Sequence, residues 1–386
     1  MDILNSASEI YFTPAFIQSV MQQHAPEKEI VVHRVSRFDV DNSASILVTL
    51  TSDTSTKWMG HFGLEVTWQE DERLRTRQMV MKVKPHGREI SAMLNGLAQR
   101  NGEPLAEVYP DFKEYTGFQY THGRELDIYR KLSDPILPTV YATYQDHQAA
   151  CYLILMEYLE EVTLLNSVME VHRWTDTHLR AALSQMARWH ARHLLHPPTL
   201  DQRYWTDTSA PDYRQRLTPL WEALLANAHR SLPEVYTNER VALLRKAIEQ
   251  IPNHQAELRA MPTTLVHNDL NPRNSCFKGE QFCLYDWELA TLHVPQYDVV
   301  EWLCFVLDQD RYARRADYLA YYHQELNRLT GLFPDKETFV RGFELAALDF
   351  GLHRLGLYVM AHSVSPYPFL PRVINSYFDT IRTLAR

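Results

Sequence analysis

What most constrains the fold of this chain is a change of hydrophobic rhythm near residue 158. Before it, three short stretches rich in β-branched and long apolar residues, Ile46 to Thr51, Phe62 to Trp68 and Gln78 to Lys84, are separated by polar, turn-like segments at Thr51 to Lys57 and Gln69 to Arg73. They predict an antiparallel meander. A helical pattern follows from Arg88 to Arg100, then a loop with Gly102, Pro104, Pro110 and Gly117, a helix from His122 to Leu132 and a strand from Tyr152 to Met156. Beyond residue 160 long helical patterns dominate: Asp176 to Leu195, Pro211 to Ala228, Asn238 to Arg259, Arg311 to Leu329, Lys336 to His362 and Arg372 to Ala385. Two short strands, Thr263 to Val266 and Gln281 to Tyr285, interrupt them. The expectation is an α+β chain in two lobes: a small β-rich lobe over residues 1–158 and a larger, mainly helical one over 159–386.

Composition removes several functional classes. The 386 residues include only 12 glycines, and no G-x-G occurs, so a Rossmann dinucleotide fingerprint is absent. Gly351 and Gly356 have P-loop spacing, but Leu357 stands where that loop needs lysine. There is no G-x-S-x-G nucleophile elbow. A formal net charge of -9 argues against non-specific binding to nucleic acid. The amino-terminal segment carries no basic-then-apolar leader, and no apolar run reaches the ~18 residues of a membrane span. Four cysteines without a C-x-x-C pair suit a reducing compartment, so a soluble cytoplasmic protein without membrane contact is expected. His190, His193 and His196 recur on one helix, but without H-E-x-x-H they read as core and surface histidines rather than zinc ligands; His190 shares its face with Met186 and Trp189.

Between the two short strands of the helical half runs HNDLNPRN, His267 to Asn274, and the second strand ends in YDWE, Tyr285 to Glu288. Asp269 and Asn274 lie five residues apart on the loop, and Asp286 follows seventeen residues after Asp269. Two carboxylates and an amide supply hard oxygen ligands and one free base, the set that phosphoryl transfer requires. Magnesium takes few protein ligands, so one Asp and one Asn leave room for a triphosphate while Asp269 accepts the proton of an attacking hydroxyl.

H-x-D-x-x-x-x-N followed by a strand and D-W-E, with Pro295 and Asp298 beyond, resembles the catalytic core of the aminoglycoside phosphotransferase and choline kinase-like superfamily, distant relatives of protein kinases. The resemblance implies a two-lobed protein kinase-like fold and a small-molecule kinase that uses ATP, with GTP left open, and Mg2+. It implies Asp269 as catalytic base, Asn274 and Asp286 as metal ligands, and His267 and Asp298 as residues that shape the loop. It also requires a strand lysine in the first lobe. Lys82 and Lys84 share one face of the Gln78 to Lys84 strand; Lys82 stands where the family's lysine usually lies, and Lys84 is the alternative. Glu125 shares its helix face with Ile128, Tyr129 and Leu132, and a carboxylate in that position needs a cationic partner, for which the strand lysine is the obvious one. The strand ending at Glu157 resembles the hinge, where backbone groups of Glu157, Tyr158 and Leu159 would bond adenine. The glycines that relatives often place after the first strand are missing from FDVDNSAS, Phe38 to Ser45, so Ser43 and Ser45 would offer donors to phosphate instead.

For the acceptor, Asp349 and His353, four apart on a late helix, and Glu288 after the metal aspartate are candidate pocket residues, and the partner they suggest is a hydroxylated small molecule. A catalytically silent nucleotide- or partner-binding protein of the same fold is the alternative. A protein kinase is disfavoured: the only A-P-E is Ala25 to Glu27 and the only D-F-G is Asp349 to Gly351, neither following the catalytic loop in the required order. The segment from Lys84 to Tyr120 is longer than a strand-to-helix connection needs and would cap either the nucleotide or the acceptor.

Overall fold

The computed structural model describes residues 9–41, 59–206 and 216–384. The expected strand Ile46 to Thr51, the turn Thr51 to Lys57, the phosphate donors Ser43 and Ser45 and the start of the helix expected from Pro211 lie outside the described residues.

The amino-terminal half begins with helix α1 (Pro14–His24), capped by the Thr13 hydroxyl, and strand β1 (Ile30–Phe38). Strands β2 (Gly60–Glu70) and β3 (Arg73–Lys84) form the expected hairpin, turning tightly through Asp71 and Glu72, both at positive φ. Helices α2 (Gly87–Asn101), α3 (Leu105–Phe112) and α4 (Thr121–Lys131) follow, then β4 (Val140–Asp146) and β5 (Cys151–Glu157). All five strands join one antiparallel sheet in the order β1-β2-β3-β5-β4. Its meander therefore starts at β1, a strand whose alternate residues are exposed and which the sequence pattern had not marked.

The sheet separates two cores. Met79, Met81, Val83, Leu153 and Leu155 pack with Ile17, Val20 and Met21 of α1 on one side. On the other, Val80, Ile154 and Met156 face α4 and the helical half. Buried on both faces, β5 reads as an unbroken apolar run rather than an alternation. The pleat places Val80, Lys82 and Lys84 together on the cleft side, where only 1% of the Lys84 side chain and 12% of the Lys82 side chain remain exposed.

The carboxy-terminal half contains α5 (Asp176–Leu195), α6 (Thr218–Ser231), α7 (Asn238–Glu249) and α8 (Ile251–Arg259). The single helix expected over Asn238 to Arg259 is broken at Gln250, because Pro252 suits the first turn of a new helix and not the interior of an old one. The strands are β6 (Thr264–Val266), β7 (Ser275–Lys278), β8 (Gln281–Leu284) and β9 (Thr291–His293), two more than expected. Helices α9 (Gln296–Val306), α10 (Arg315–Thr330), α11 (Lys336–Asp349), α12 (Gly356–His362) and α13 (Leu370–Leu384) complete the lobe. A π turn, Phe350–Leu355, separates α11 from α12, so the predicted single helix changes pitch there.

The stretch expected as a loop around Pro104 and Pro110 folds into α3 instead, with Pro110 near its end. The α2–α3 hairpin lies against the helical half: Asn101 Nδ2 donates to Met360 O at 3.0 Å, and Arg230 Nη2 donates to Asn101 O at 2.5 Å. Insertion and helical lobe thereby form one wall of the cleft. No described helix is long and apolar enough to cross a membrane.

Gly351 sits in the π turn where an added Cβ would overlap the ring and hydroxyl of Tyr377, which is fully buried. Gly351→Ala should therefore overpack this contact and lower stability by about 1–3 kcal/mol, measured as a shift in the denaturant midpoint; an unchanged midpoint would mean that α13 moves aside freely.

Candidate active site

Helix α4 carries the first unusual packing. Every residue from Thr121 to Tyr129 is buried, although the stretch includes His122, Arg124, Glu125 and Asp127. Arg124 is satisfied by backbone carbonyls, donating to Glu288 O at 3.0 Å and to Gly117 O. Glu125 is paired with both strand lysines: Lys82 Nζ lies 2.9 Å from each carboxylate oxygen, and Lys84 Nζ bonds the Oε2 oxygen. A buried carboxylate costs too much unless paired, and here two ammonium groups pair with it. Among the described residues the ion pairs of Glu125 are to these strand lysines, not to its helix neighbours Arg124 or Arg130. Lys82 also reaches Asp286 Oδ1 at 2.8 Å, while Lys84 turns to Glu288 Oε2 at 2.6 Å.

These two ammonium groups serve three carboxylates, so the cluster carries one negative charge in excess. The excess belongs at Asp286, whose side chain is 34% exposed against 0% for Glu125 and 13% for Glu288. Burial raises the Asp286 carboxyl, but Lys82 and Lys84 outweigh it and hold the group far below the usual range. Glu288 is shifted the other way, since burial raises its carboxyl more than Lys84 can offset. Asp286 has left-handed backbone angles (φ 67°), a strained conformation that aims its side chain at the cleft from the end of β8.

The loop from His267 to Asn274 is held from below. Asp298, in the first turn of α9, accepts from the backbone N–H of His267 at 2.8 Å and of Asn268 at 3.0 Å, and its Oδ2 lies 3.1 Å from His190 Nε2. His190 Nδ1 is in turn 2.6 Å from the Tyr322 hydroxyl, which makes it a satisfied core histidine. Fully buried Glu301 accepts from Leu270 N at 3.0 Å. His267 Nε2 lies 3.0 Å from Tyr285 O and ties the loop to the strand that ends in Asp286.

On this frame Asn274 Nδ2 donates to Asp269 Oδ2 at 2.8 Å, which leaves its own amide oxygen as a remaining acceptor. The other oxygen of Asp269 receives Arg354 Nη2 at 2.7 Å and the Tyr358 hydroxyl at 2.5 Å. Burial pushes the Asp269 carboxyl up, but Arg354 and Arg273 outweigh it, so the group stays ionised below the ordinary carboxylate value.

A cavity of about 480 Å³ joins these parts. Lys82, Asp269, Asn274, Asp286, Glu288, Glu157, Tyr158 and Leu159 all line it. At its hinge edge the Glu157 N–H bonds Thr139 O and the Tyr158 N–H bonds Gln78 O, so two of the three N–H groups expected to meet adenine already have backbone partners. The Glu157 carboxylate is bound by Lys278. Asp349 and His353 are not among the lining residues: Asp349 pairs with His293 Nε2 at 2.8 Å, and His353 accepts from Trp221 Nε1 at 3.2 Å. The cavity is lined instead by Arg273, Arg354, Tyr358 and Tyr367, together with Ile90 and Met93 of α2. His61, opposite Lys82 in the sheet register, also lines the cavity, and burial together with Lys82 lowers its pKa to about 4, so it is neutral at pH 7.

Asn274 and Asp286 fit magnesium by donor type, and the uncompensated charge of the cluster sits on the member of it that most faces the cleft. Among the described residues Glu125, Asp286 and Glu288 bring carboxylate oxygens within 4.8 Å of one another. All three bond a lysine, and Asp286 is the most exposed of them, so it is the carboxylate best placed to face a cation.

A family model described as the phosphotransferase enzyme family matches residues 119–332, more than half of the chain. Among solved structures the chain is similar to a choline kinase from Cryptosporidium parvum Iowa II, at 10% identity and a TM-score of 0.48, covering 91% of this chain and 89% of the other. It is also similar to a thermostable mutant of aminoglycoside phosphotransferase APH(4)-Ia in ternary complex with ADP and hygromycin B (12% identity, TM-score 0.46, 92% and 95% covered). A third is a Plasmodium vivax ethanolamine kinase, with 10% identity, a TM-score of 0.43 and 99% and 89% covered. No curated protein sequence matches the chain.

Replacing Glu125 by alanine would leave Lys82 and Lys84 to share Asp286 and Glu288. Each lysine then keeps one carboxylate, so the cost is that of the lost charge-assisted hydrogen bonds, about 1.5–3 kcal/mol each. Glu125→Ala should therefore unfold at clearly lower denaturant than wild type; a loss below about 1 kcal/mol would show that water reaches the cluster.

Proposed function

The chain belongs to the phosphotransferase enzyme family, and from that premise we propose that it is an ATP- and Mg2+-dependent kinase that phosphorylates a hydroxyl group of a small molecule, with Asp269 as the base. The observation that carries this reading is the convergence on one cavity of two separately built groups: Lys82–Asp286 and Asp269–Asn274. A silent relative would have no need of both.

In this mechanism the sheet with Glu157 to Leu159 forms the nucleotide lobe, and residues 159–386 supply the loop and the acceptor wall. Lys82, held by Glu125, would leave Asp286 for a phosphate oxygen of the nucleotide at little cost in reorganisation, since both remain in the same cluster. Asn274 and Asp286 would hold magnesium, which when bound neutralises charge on the phosphate oxygens. The acceptor hydroxyl oxygen forms a bond to the γ-phosphorus as the bond to the β-phosphate oxygen breaks; ADP leaves with that electron pair, and the hydroxyl proton passes to Asp269. Catalysis then consists mainly of positioning and electrostatic stabilisation. The four cysteines, all free and buried, suit work in a reducing cytoplasm.

Asp269→Asn should lower turnover by about two to four orders of magnitude while magnesium nucleotide still binds; normal turnover would remove Asp269 from the mechanism. Asp286→Ala should abolish the magnesium dependence of nucleotide binding, read by thermal shift with and without the ion, and binding that keeps its full magnesium response would place the metal elsewhere.

The pH dependence carries a sign. The Asp269 base works ionised, and its pKa is held down, so the acid limb of kcat/KM should be centred below the ordinary Asp value of about 3.9. An acid limb centred at a histidine-like pH of about 6.5 would reassign the base.

A further inference from the structure

The acceptor half of the cavity has an unusual charge. Lys278 pairs with Glu157, Lys82 and Lys84 are shared among Glu125, Asp286 and Glu288 on the sheet side, and Arg354 pairs with Asp269. Arg273 is left over: among the described residues no carboxylate lies within ion-pair distance of it. Its guanidinium is held by neutral groups instead, donating to Asn271 Oδ1 at 3.2 Å and the Tyr358 hydroxyl at 3.1 Å, and stacking over the rings of Tyr358 and Phe369 at 5.6 and 5.3 Å. Two guanidinium groups thus face one carboxylate, the base itself.

A second, independent observation concerns unpartnered donors. Arg354 Nε and the Tyr367 hydroxyl are buried without a hydrogen-bond partner among the described residues, and their side chains belong to the same wall. Arg354 and Tyr367 are only 5% and 9% exposed. Buried donors are normally satisfied, and a wall of arginine and tyrosine donors lacks acceptor oxygens. Beside it the cavity is apolar, lined by Ile90, Met93, Leu94 and Leu97 of α2.

Resting on the phosphotransfer reading above, we infer that the acceptor is an anionic alcohol with an apolar body, whose carboxylate or phosphate is received by Arg273 and Arg354. Guanidinium groups match such oxyanions in bidentate geometry. A polycationic acceptor would set ammonium groups beside two guanidinium groups, whose one ion-paired carboxylate is the base itself. The anion has a second consequence. In the structure Arg354 and Tyr358 occupy Asp269 Oδ1. An acceptor anion that draws Arg354 away removes one of the donors on that oxygen and makes room beside Tyr358 for the acceptor hydroxyl, so the correct substrate would help unmask the base it needs.

The test measures thermal midpoints of the full chain with amphiphilic probes matched in shape: 4-(hydroxymethyl)benzoate, its phosphate ester analogue 4-(hydroxymethyl)phenyl phosphate, the neutral carboxamide and the aminomethyl counterpart. The two anionic probes should stabilise wild type, with the stronger one identifying carboxylate or phosphate, and the amine should not. Arg273→Gln should weaken binding of the better anion by about tenfold or more, the loss of one charge-assisted bond. Because Arg273 holds no ion pair, this variant is the safe one; Arg354→Gln strands Asp269 and serves only if it folds. Stronger stabilisation by the amine, or no response of wild type to either anion, would overturn the inference. Thermal shift with ATP and Mg2+ is scored separately: no nucleotide response there, with the anion response intact, removes the phosphotransfer reading and leaves the oxyanion site standing.

Discussion

Everything in the cleft depends on one buried ionic cluster. Glu125 comes from α4, Lys82 and Lys84 from β3, and Asp286 and Glu288 from the end of β8, so a single set of ion pairs joins the sheet, its helix and the helical lobe. Buried ion pairs seldom add much stability over apolar packing, but removing one partner is costly, which makes such a cluster a strong specifier of relative position. The same cluster has one carboxylate too many. Its exposed edge at Asp286 is therefore a ready place for a cation, and the geometry that fixes the lobes also prepares the chemistry.

The loop beside it obeys a different rule. Its backbone N–H groups at His267, Asn268 and Leu270 are taken by carboxylates of α9, Asp298 and Glu301, rather than by a sheet. A polar loop can be buried only when its backbone groups are paired, and here Asp298 and Glu301, about one turn apart on α9, supply the acceptors. Asp269 and Asn274 are thereby presented on a rigid frame, with Asn268 at positive φ beneath them.

The α2–α3 insertion changes how the cleft is walled. It leaves the sheet after Lys84, crosses to the helical half and returns at α4. Sequence reading recognised that the segment was too long for a simple connection but assigned α3 to loop, because Pro104 and Pro110 argue against helix in isolation. Packing against α6 outweighed that local preference. The apolar face of α2 then lines the cavity, which therefore combines hydrophobic side chains with arginines.

How far the site was legible depends on how far apart its parts lie along the chain. Asp269, Asn274 and Asp286 stand within one short segment, whose residue types and spacing suggest the chemistry; the two-residue period of the strand puts Lys82 and Lys84 on one face without choosing between them, and the cost of a carboxylate on an apolar helix face points Glu125 at that pair. Asp349 and His353 looked equally suitable by helical spacing, yet His293 and Trp221 claim them. Arg354 lies in the π turn that changes the helical phase after Asp349, and among the described residues Arg273 meets the rings of Tyr358 and Phe369 rather than a carboxylate. The sequence by itself determined the lobes, the loop and the ionisable groups, since these arise from local periodicity and residue chemistry. Which charges meet and which one is left unmatched was decided by tertiary structure alone, because electrostatic pairing depends on distance in space, to which separation along the chain gives no access.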